Sequence, residues 1–306
     1  MKKTIALTIA ATALIGGTLA EARPGDRLRE RFAGRQNREQ VPQPPGKQTL
    51  SYGTDRLQVL DIYPARAGSS QRPPLVVFVH GGGWKRGSKD NADGTWKAPH
   101  YTGLGYAYAS INYRLVPEAT VEQQAADVAA ALRYLIDNAG RLGFDPTRIV
   151  LMGHSAGAHL VSLVGTDEQY LKGAGLSFAA IDGVIPIDGA AFDVPRQIAD
   201  GGNFMHDTYL QAFGEDPARQ RALSPTFHAQ APNAPAFLLI HVMRKDGVAQ
   251  NKELEAALRK GGTRVERREF EGTGLKGHGE INRQLGNPDY AATPVVDAWL
   301  KRVFGG

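Results

Sequence analysis

The run Arg148-Ile149-Val150-Leu151-Met152-Gly153-His154-Ser155-Ala156-Gly157-Ala158-His159-Leu160 limits what this chain can fold into more than any other stretch. A β-branched and aliphatic segment enters Gly-His-Ser-Ala-Gly, and a small-residue helical segment leaves it. Strand, tight turn and helix in that order are the context that gives a G-x-S-x-G pattern meaning. In a chain with 36 glycines the bare pattern says little. The context predicts that Ser155 is held in a strained turn, with Gly153 and Gly157 where a Cβ would collide with the neighbouring strand or helix. Its Oγ should stand above the carboxyl edge of a parallel sheet, over the positive end of the following helix. Ser155 is the expected nucleophile.

A serine hydroxyl is a weak nucleophile and needs a base, an acid to orient that base, and donors for an oxyanion. With the nucleophile on such a turn, the partners follow in the order Ser, acid, His. Downstream lie His159, His206, His228, His241 and His278. His159 sits four residues along the same helix, and His241 falls in an apolar strand pattern where a core histidine is expected. His278, in Leu275-Lys276-Gly277-His278-Gly279-Glu280, is flanked by glycines and predicted on a loop after the last strand, so it is the expected base. The acid is sought after the strand 236–242, where Asp246 is expected. Asp182, Asp188 and Asp193 read as too early, and Glu280 as too close to His278. Backbone N–H groups of Gly82, Gly83 and Ala156 are the expected oxyanion donors, since glycine backbone can approach a substrate closely. Trp84, Phe192, Phe204, Met205, Tyr209 and Phe213 are candidates to line an acyl or aromatic pocket.

Apolar runs place strands at 57–63, 75–79, 107–112, 149–154, 181–187, 236–242 and 265–270. A helix is predicted over 121–138, with Val121, Ala125, Val128, Leu132 and Ile136 on one face. Further helices are expected over 250–260 and from Thr293-Pro294 to Phe304. Residues 192–235 are too long for a simple connection and predict a small lid insertion. Alternating strands and helices imply an α/β fold with a mostly parallel central sheet flanked by helices.

Charge bears on the partners. The net +5 belongs to residues 1–47, which hold nine Lys/Arg and four Asp/Glu, so the remainder is neutral. With no aromatic–basic interleaving, a nucleic-acid partner is not expected. The absence of cysteine excludes disulfides, thiolate metal sites and a cysteine nucleophile. Met1-Lys2-Lys3, an uncharged apolar stretch from Thr4 to Leu19, and Ala20-Glu21-Ala22 predict a cleaved signal peptide over 1–22, periplasmic or secreted localisation, and no stable membrane span after processing. Residues 23–47 are basic, end in Pro42-Gln43-Pro44-Pro45-Gly46, and read as a linker before a catalytic domain over 48–306. No cofactor and no metal site are expected.

His80-Gly81-Gly82-Gly83-Trp84 together with Gly153-His154-Ser155-Ala156-Gly157 resembles the α/β-hydrolase superfamily, in its hormone-sensitive-lipase-like carboxylesterase branch. Leu60-Asp61-Ile62-Tyr63-Pro64 and Asn112-Tyr113-Arg114-Leu115 are similar to bacterial feruloyl/acetyl-xylan esterase-like and kynurenine-formamidase-like members. The resemblance covers about residues 50–304. It implies an α/β-hydrolase fold, a Ser155–Asp246–His278 triad, an oxyanion hole of Gly82, Gly83 and Ala156, and small-molecule or polymer-linked esters as substrates. Met243-Arg244-Lys245 before Asp246 departs from the small polar loop expected there. An arylformamidase-like amide hydrolase is the alternative reading, and a non-catalytic envelope binding module on the same fold is the alternative of another class.

Overall fold

In the computed structural model the described residues are 41–66, 72–90, 95–200 and 202–305, without the side chains of 202–204. The expected signal peptide, and the expected linker up to residue 40, lie outside them. The chain builds one eight-stranded sheet from β1 (Gln48–Ser51), β2 (Val59–Tyr63), β3 (Leu75–Val79), β4 (Ala107–Ile111), β5 (Ile149–His154), β6 (Gly183–Ile187), β7 (Ala236–Val242) and β8 (Arg264–Phe270). The strand order is β1-β2-β4-β3-β5-β6-β7-β8. β2 pairs antiparallel with β1 and with β4, and every pairing from β4 to β8 is parallel. The predicted strands match seven of these; β1, short and polar, carries too little pattern to be read.

β3 and β5 are hydrogen-bonded neighbours, but the chain leaves β3 toward β4 and leaves β5 toward β6. Loops that depart in opposite directions open a crevice at the carboxyl ends of the two strands, where ligands of open α/β sheets bind. The glycine run after β3 and the serine turn after β5 therefore meet at one point.

Helices cover both faces. Besides two single-turn helices, Ala139–Leu142 and Gln169–Gly173, they are α1 (Lys97–Gly103), α2 (Val121–Asp137), α3 (Ala156–Thr166), α4 (Val194–Asp200), α5 (Gly202–Phe213), α6 (Pro217–Ala222), α7 (Pro225–His228), α8 (Lys245–Lys260), α9 (Gly274–Gln284) and α10 (Ala292–Val303). Side chains alternate across a strand, and the central strands separate accordingly. Val77, Val79, Leu151 and Ala109 join Leu132, Leu160, Val164 and Leu254 of α2, α3 and α8. Val76, Phe78, Val150 and Met152 join Ala98, Tyr101, Ile281, Val296 and Trp299 of α1, α9 and α10. The segment in which a lid insertion is expected forms α4 to α7, and Met205, Thr208 and Tyr209 of α5 line the crevice. α2 starts on a reciprocal cap between Thr120 and Gln123, which satisfies two of its otherwise unpaired first-turn N–H groups.

His278 lies on α9 and not on a loop. The glycines that read as a loop have a packing reason: a Cβ on Gly277 would stand 2.6 Å from the backbone carbon of Gly272, so α9 can lie against the exit of β8 only without it. α8 likewise begins at Lys245, five residues before the predicted start, which puts Asp246 in its first turn.

The turn at Ser155 depends on the same kind of contact. A Cβ on Gly157 would lie 2.2 Å from the Val79 carbonyl oxygen and 2.5 Å from that of His80, so α3 would be pushed off β3. Gly157→Ala is expected to destabilise the protein by about 3 kcal/mol, measured by urea unfolding; a loss below about 0.5 kcal/mol would show that the contact does not constrain the turn.

Candidate active site

Ser155 is the hinge between β5 and α3, with φ 56° and ψ −117°. Few non-glycine residues hold a positive φ, and one that does is over-determined by its surroundings. Here the surroundings are the Gly153 and Gly157 contacts and a hydrogen bond from the Ser155 N–H to the Ile187 carbonyl at 3.0 Å. That bond ties the turn to the last residue of β6. The residue after Ile187 is Asp188.

His278 Nε2 lies 3.0 Å from Ser155 Oγ, and His278 Nδ1 lies 2.5 Å from Asp188 Oδ2. With Asp188 ionised, Nδ1 carries the proton and donates it to the carboxylate. Nε2 is then the acceptor for the serine hydroxyl, a tautomer fixed by the network. The ring is held from behind: His154 Nε2 donates to the His278 carbonyl at 2.9 Å, and the two imidazoles sit 4.5 Å apart. One turn further on, Lys97 Nζ of α1 donates to the carbonyl and the Oδ1 of Asn282, at 2.5 and 2.9 Å. α9 is thereby fastened at two points across the ring it carries.

Asp188 occupies the position expected for Asp246. Its side chain is fully buried, and its Oδ1 accepts the Val242 N–H at 3.1 Å. Its own N–H donates to the Ile240 carbonyl at 2.7 Å, so the carboxylate is held between β6 and β7. Arg244 Nε donates to Oδ2 at 2.8 Å, and Arg244 Nη2 donates to the Asp188 carbonyl at 3.2 Å. Burial pushes this carboxyl up. The His278 hydrogen bond and the charges of Arg244 and His278 outweigh burial and hold it at about 2. Asp246 does not reach the imidazole: it accepts from Arg244 Nη1 at 3.1 Å and from Gln197 Nε2 at 3.2 Å. The expectation failed for a topological reason. The order Ser, acid, His holds for an acid after β6 as well as after β7, and Asp188 lies beside the serine turn while Asp246 is turned into a helix.

Gly82 and Gly83 leave β3 with φ 120° and 62°, and line the crevice with Ala156, the first residue of α3. The first N–H groups of a helix have no intrahelical partner, so the Ala156 N–H is open to a ligand beside the serine. Two of the other downstream histidines are occupied elsewhere. His159 Nε2 donates to the Leu223 carbonyl at 2.8 Å, its Nδ1 accepts from Trp84 Nε1 at 3.3 Å, and burial pushes it down to about 4. His241 is buried, with Nδ1 3.1 Å from the Val242 carbonyl and Nε2 facing Arg267.

The crevice is a cavity of about 570 Å³. Of the aromatic candidates, Trp84 and Tyr209 line it. Phe192 and Phe213 do not, and both are fully buried in the core. Trp84 stands edge-on to His159, Tyr209 and Phe213, which joins the glycine run to α5. Met205 lines the cavity; Phe204 falls in α5 with its side chain outside the described residues. Thr208, Arg244 and Leu275 also line it; the sequence marked Arg244 only as a departure from the loop expected before Asp246, and no signal placed Thr208 or Leu275 there.

The fold with its serine turn is that of the α/β-hydrolases. The structure of esterase B from Lactobacillus rhamnosis superposes with a TM-score of 0.71 at 21% identity, covering 92% of this chain and 91% of that one. Within this fold class the chain belongs to the BD-FAE family, whose model matches residues 60–258. The match takes in Ser155, Asp188 and Asp246 and ends before His278. A carboxylesterase of Mycobacterium tuberculosis, NlhH, is 38% identical over 105 residues, 34% of this chain and 33% of the relative. The esterase LipC of the same organism is 29% identical over 207 residues, 65% of this chain and 51% of the relative. The chain thus spans between a third and half of the length of these curated relatives.

A buried carboxylate held at about 2, against an ordinary 3.8, stabilises the fold above pH 4. That contribution, about 2 kcal/mol, is lost as pH falls from 4 to 2. Urea-unfolding free energies of Asp188→Asn should lack this part of the acid slope, whereas Asp246→Asn should keep it; equal slopes in both variants would contradict the assignment.

Proposed function

We propose that the protein hydrolyses carboxylic esters by two-step acyl transfer, with Ser155 as nucleophile, His278 as general base and acid, and Asp188 as the orienting carboxylate. The observation that carries this reading is the continuous hydrogen-bonded array Ser155 Oγ, His278 Nε2, His278 Nδ1, Asp188 Oδ2, at 3.0 and 2.5 Å, opening into the cavity. BD-FAE membership and the esterase relatives support it. Ser155 Oγ attacks the ester carbonyl as its proton passes to His278 Nε2, and the imidazolium is stabilised by Asp188. The tetrahedral oxyanion is met by the N–H groups of Gly82, Gly83 and Ala156, donors fixed before charge develops. Collapse expels the alcohol, which takes the proton from His278. Water, deprotonated by the same nitrogen, then attacks the acyl-serine and regenerates the hydroxyl.

Short-chain or aromatic acyl groups of the acetyl and feruloyl type are the proposed substrates. A cavity of about 570 Å³ bounded by Trp84, Met205, Tyr209 and Leu275 suits a small acyl or phenylpropenoyl group. We further propose that the protein is exported after cleavage of residues 1–22, on the strength of the basic, apolar and small-residue order there. The intact mass of the mature protein tests this, and retention of Met1 in exported material would refute it.

Ser155→Ala is expected to lower kcat/KM for p-nitrophenyl acetate by about 10⁵-fold or more, with native circular dichroism retained. Turnover within tenfold of the unaltered protein would end this reading. A panel of acetyl, butyryl and feruloyl esters with an N-formyl arylamine tests the substrate class, and preference for the formamide would overturn it.

A further inference from the structure

Arg244 is unusual in its company. Its side chain is 14% exposed and sits directly after β7, where its guanidinium spans two carboxylates. Nε is 2.8 Å from Asp188 Oδ2, the oxygen that also receives the His278 Nδ1 proton. Nη1 is 3.1 Å from Asp246 Oδ2. Asp246 continues outward through Gln197 Nε2, which is 3.2 Å from it and 3.1 Å from the Tyr209 hydroxyl of α5. Gln197 is buried in α4, so the chain of contacts runs from the acid into the lid.

We propose that Arg244 is a positioning residue that clamps the Asp188 carboxylate and sets how readily His278 takes a proton, with Asp246 as its counter-charge and link to the lid. The proposal rests on the acyl-transfer reading of Ser155, His278 and Asp188. A cation that shares one carboxylate oxygen with the base draws electron density from that oxygen and repels an imidazolium. Asp246 cancels part of that repulsion from the far side. Removing Arg244 and removing Asp246 should therefore act in opposite directions, an outcome that loss of packing alone does not produce.

Other charged or titratable groups face this cluster. His154 is contributed by the end of β5, Tyr209 by α5, His241 by β7 and Tyr290 by the turn before α10, with Lys97 of α1 acting on His154 and Glu280 of α9 on Tyr290. All remain unchanged in the variants below, so a difference between them reports on Arg244 and Asp246.

The test is the pH dependence of the rate at which a fluorophosphonate labels Ser155, a readout that requires no ester turnover, alongside kcat/KM for p-nitrophenyl acetate. The acid limb of the labelling profile is expected to move up by about one pH unit in Arg244→Gln and down in Asp246→Asn. Arg244→Lys, which keeps the charge and loses the fork, should fall between Arg244→Gln and the unaltered protein, and replaces Arg244→Gln if that variant does not fold. Limbs that coincide in all variants, or move in the same direction, overturn the role of Arg244. Labelling with the expected opposite shifts but no ester turnover would refute the esterase reading and leave this one standing. Absence of labelling in the unaltered protein would overturn both.

Discussion

The chain reverses direction at Ser155 within the space of one residue, and the rest of the site follows from how that reversal is held. α3 must start against β3 so closely that a Cβ at Gly157 would lie 2.2 Å from a carbonyl oxygen, and one at Gly153 would lie 2.3 Å from the Gly157 oxygen. The Ser155 N–H is anchored to the last residue of β6. The turn thereby joins three neighbouring strands: the glycine run leaves β3, the serine leaves β5, and Asp188 leaves β6. The sheet order decides which groups can meet there.

The second layer of organisation is electrostatic. A fully buried carboxylate costs several kcal/mol unless it is paired and hydrogen-bonded. Asp188 has four donors: the imidazole, a guanidinium nitrogen, and the Val242 N–H on its side chain, with a second guanidinium nitrogen on its carbonyl. All four come from residues 242 to 278, so the charge of Asp188 depends on β7 and α9 being in place. The imidazole in turn is braced by His154 and, through α9, by Lys97. α1 and α9 together fix where the His278 ring stands.

Much of this could be read from residues, and the limits are informative. β3 and β7 agree with their predicted bounds because continuous apolar runs bounded by Pro, Gly and His leave little choice. The meeting of Ser155 and His278 was legible, the one from its strand–turn–helix context and the other from its glycine-flanked place after the last strand. The setting of His278 was not: Gly274, Gly277 and Gly279 lower helix propensity, and the approach of Gly277 to Gly272 shows why glycine stands in a helix there. The acid was misplaced because linear order is blind to which strand lies beside the serine turn. An Asp-Gly pair follows both β6 and β7 (Asp188-Gly189 and Asp246-Gly247), and the sequence contains nothing to rank them. Phe192 shows a further limit, since an aromatic near the site in sequence can serve the core. Arg244 stood out only as a departure from the expected loop, and its partners appear once β6 and β7 are adjacent.

The central claim is that Asp188, and not Asp246, orients His278. Parallel kcat/KM measurements on Asp188→Asn and Asp246→Asn with p-nitrophenyl acetate at neutral pH test it most directly. The account expects a loss of about 10⁴-fold in Asp188→Asn, as when the orienting acid of a serine triad is made neutral, and less than about tenfold in Asp246→Asn. A large loss in Asp246→Asn with near-normal activity in Asp188→Asn would contradict it.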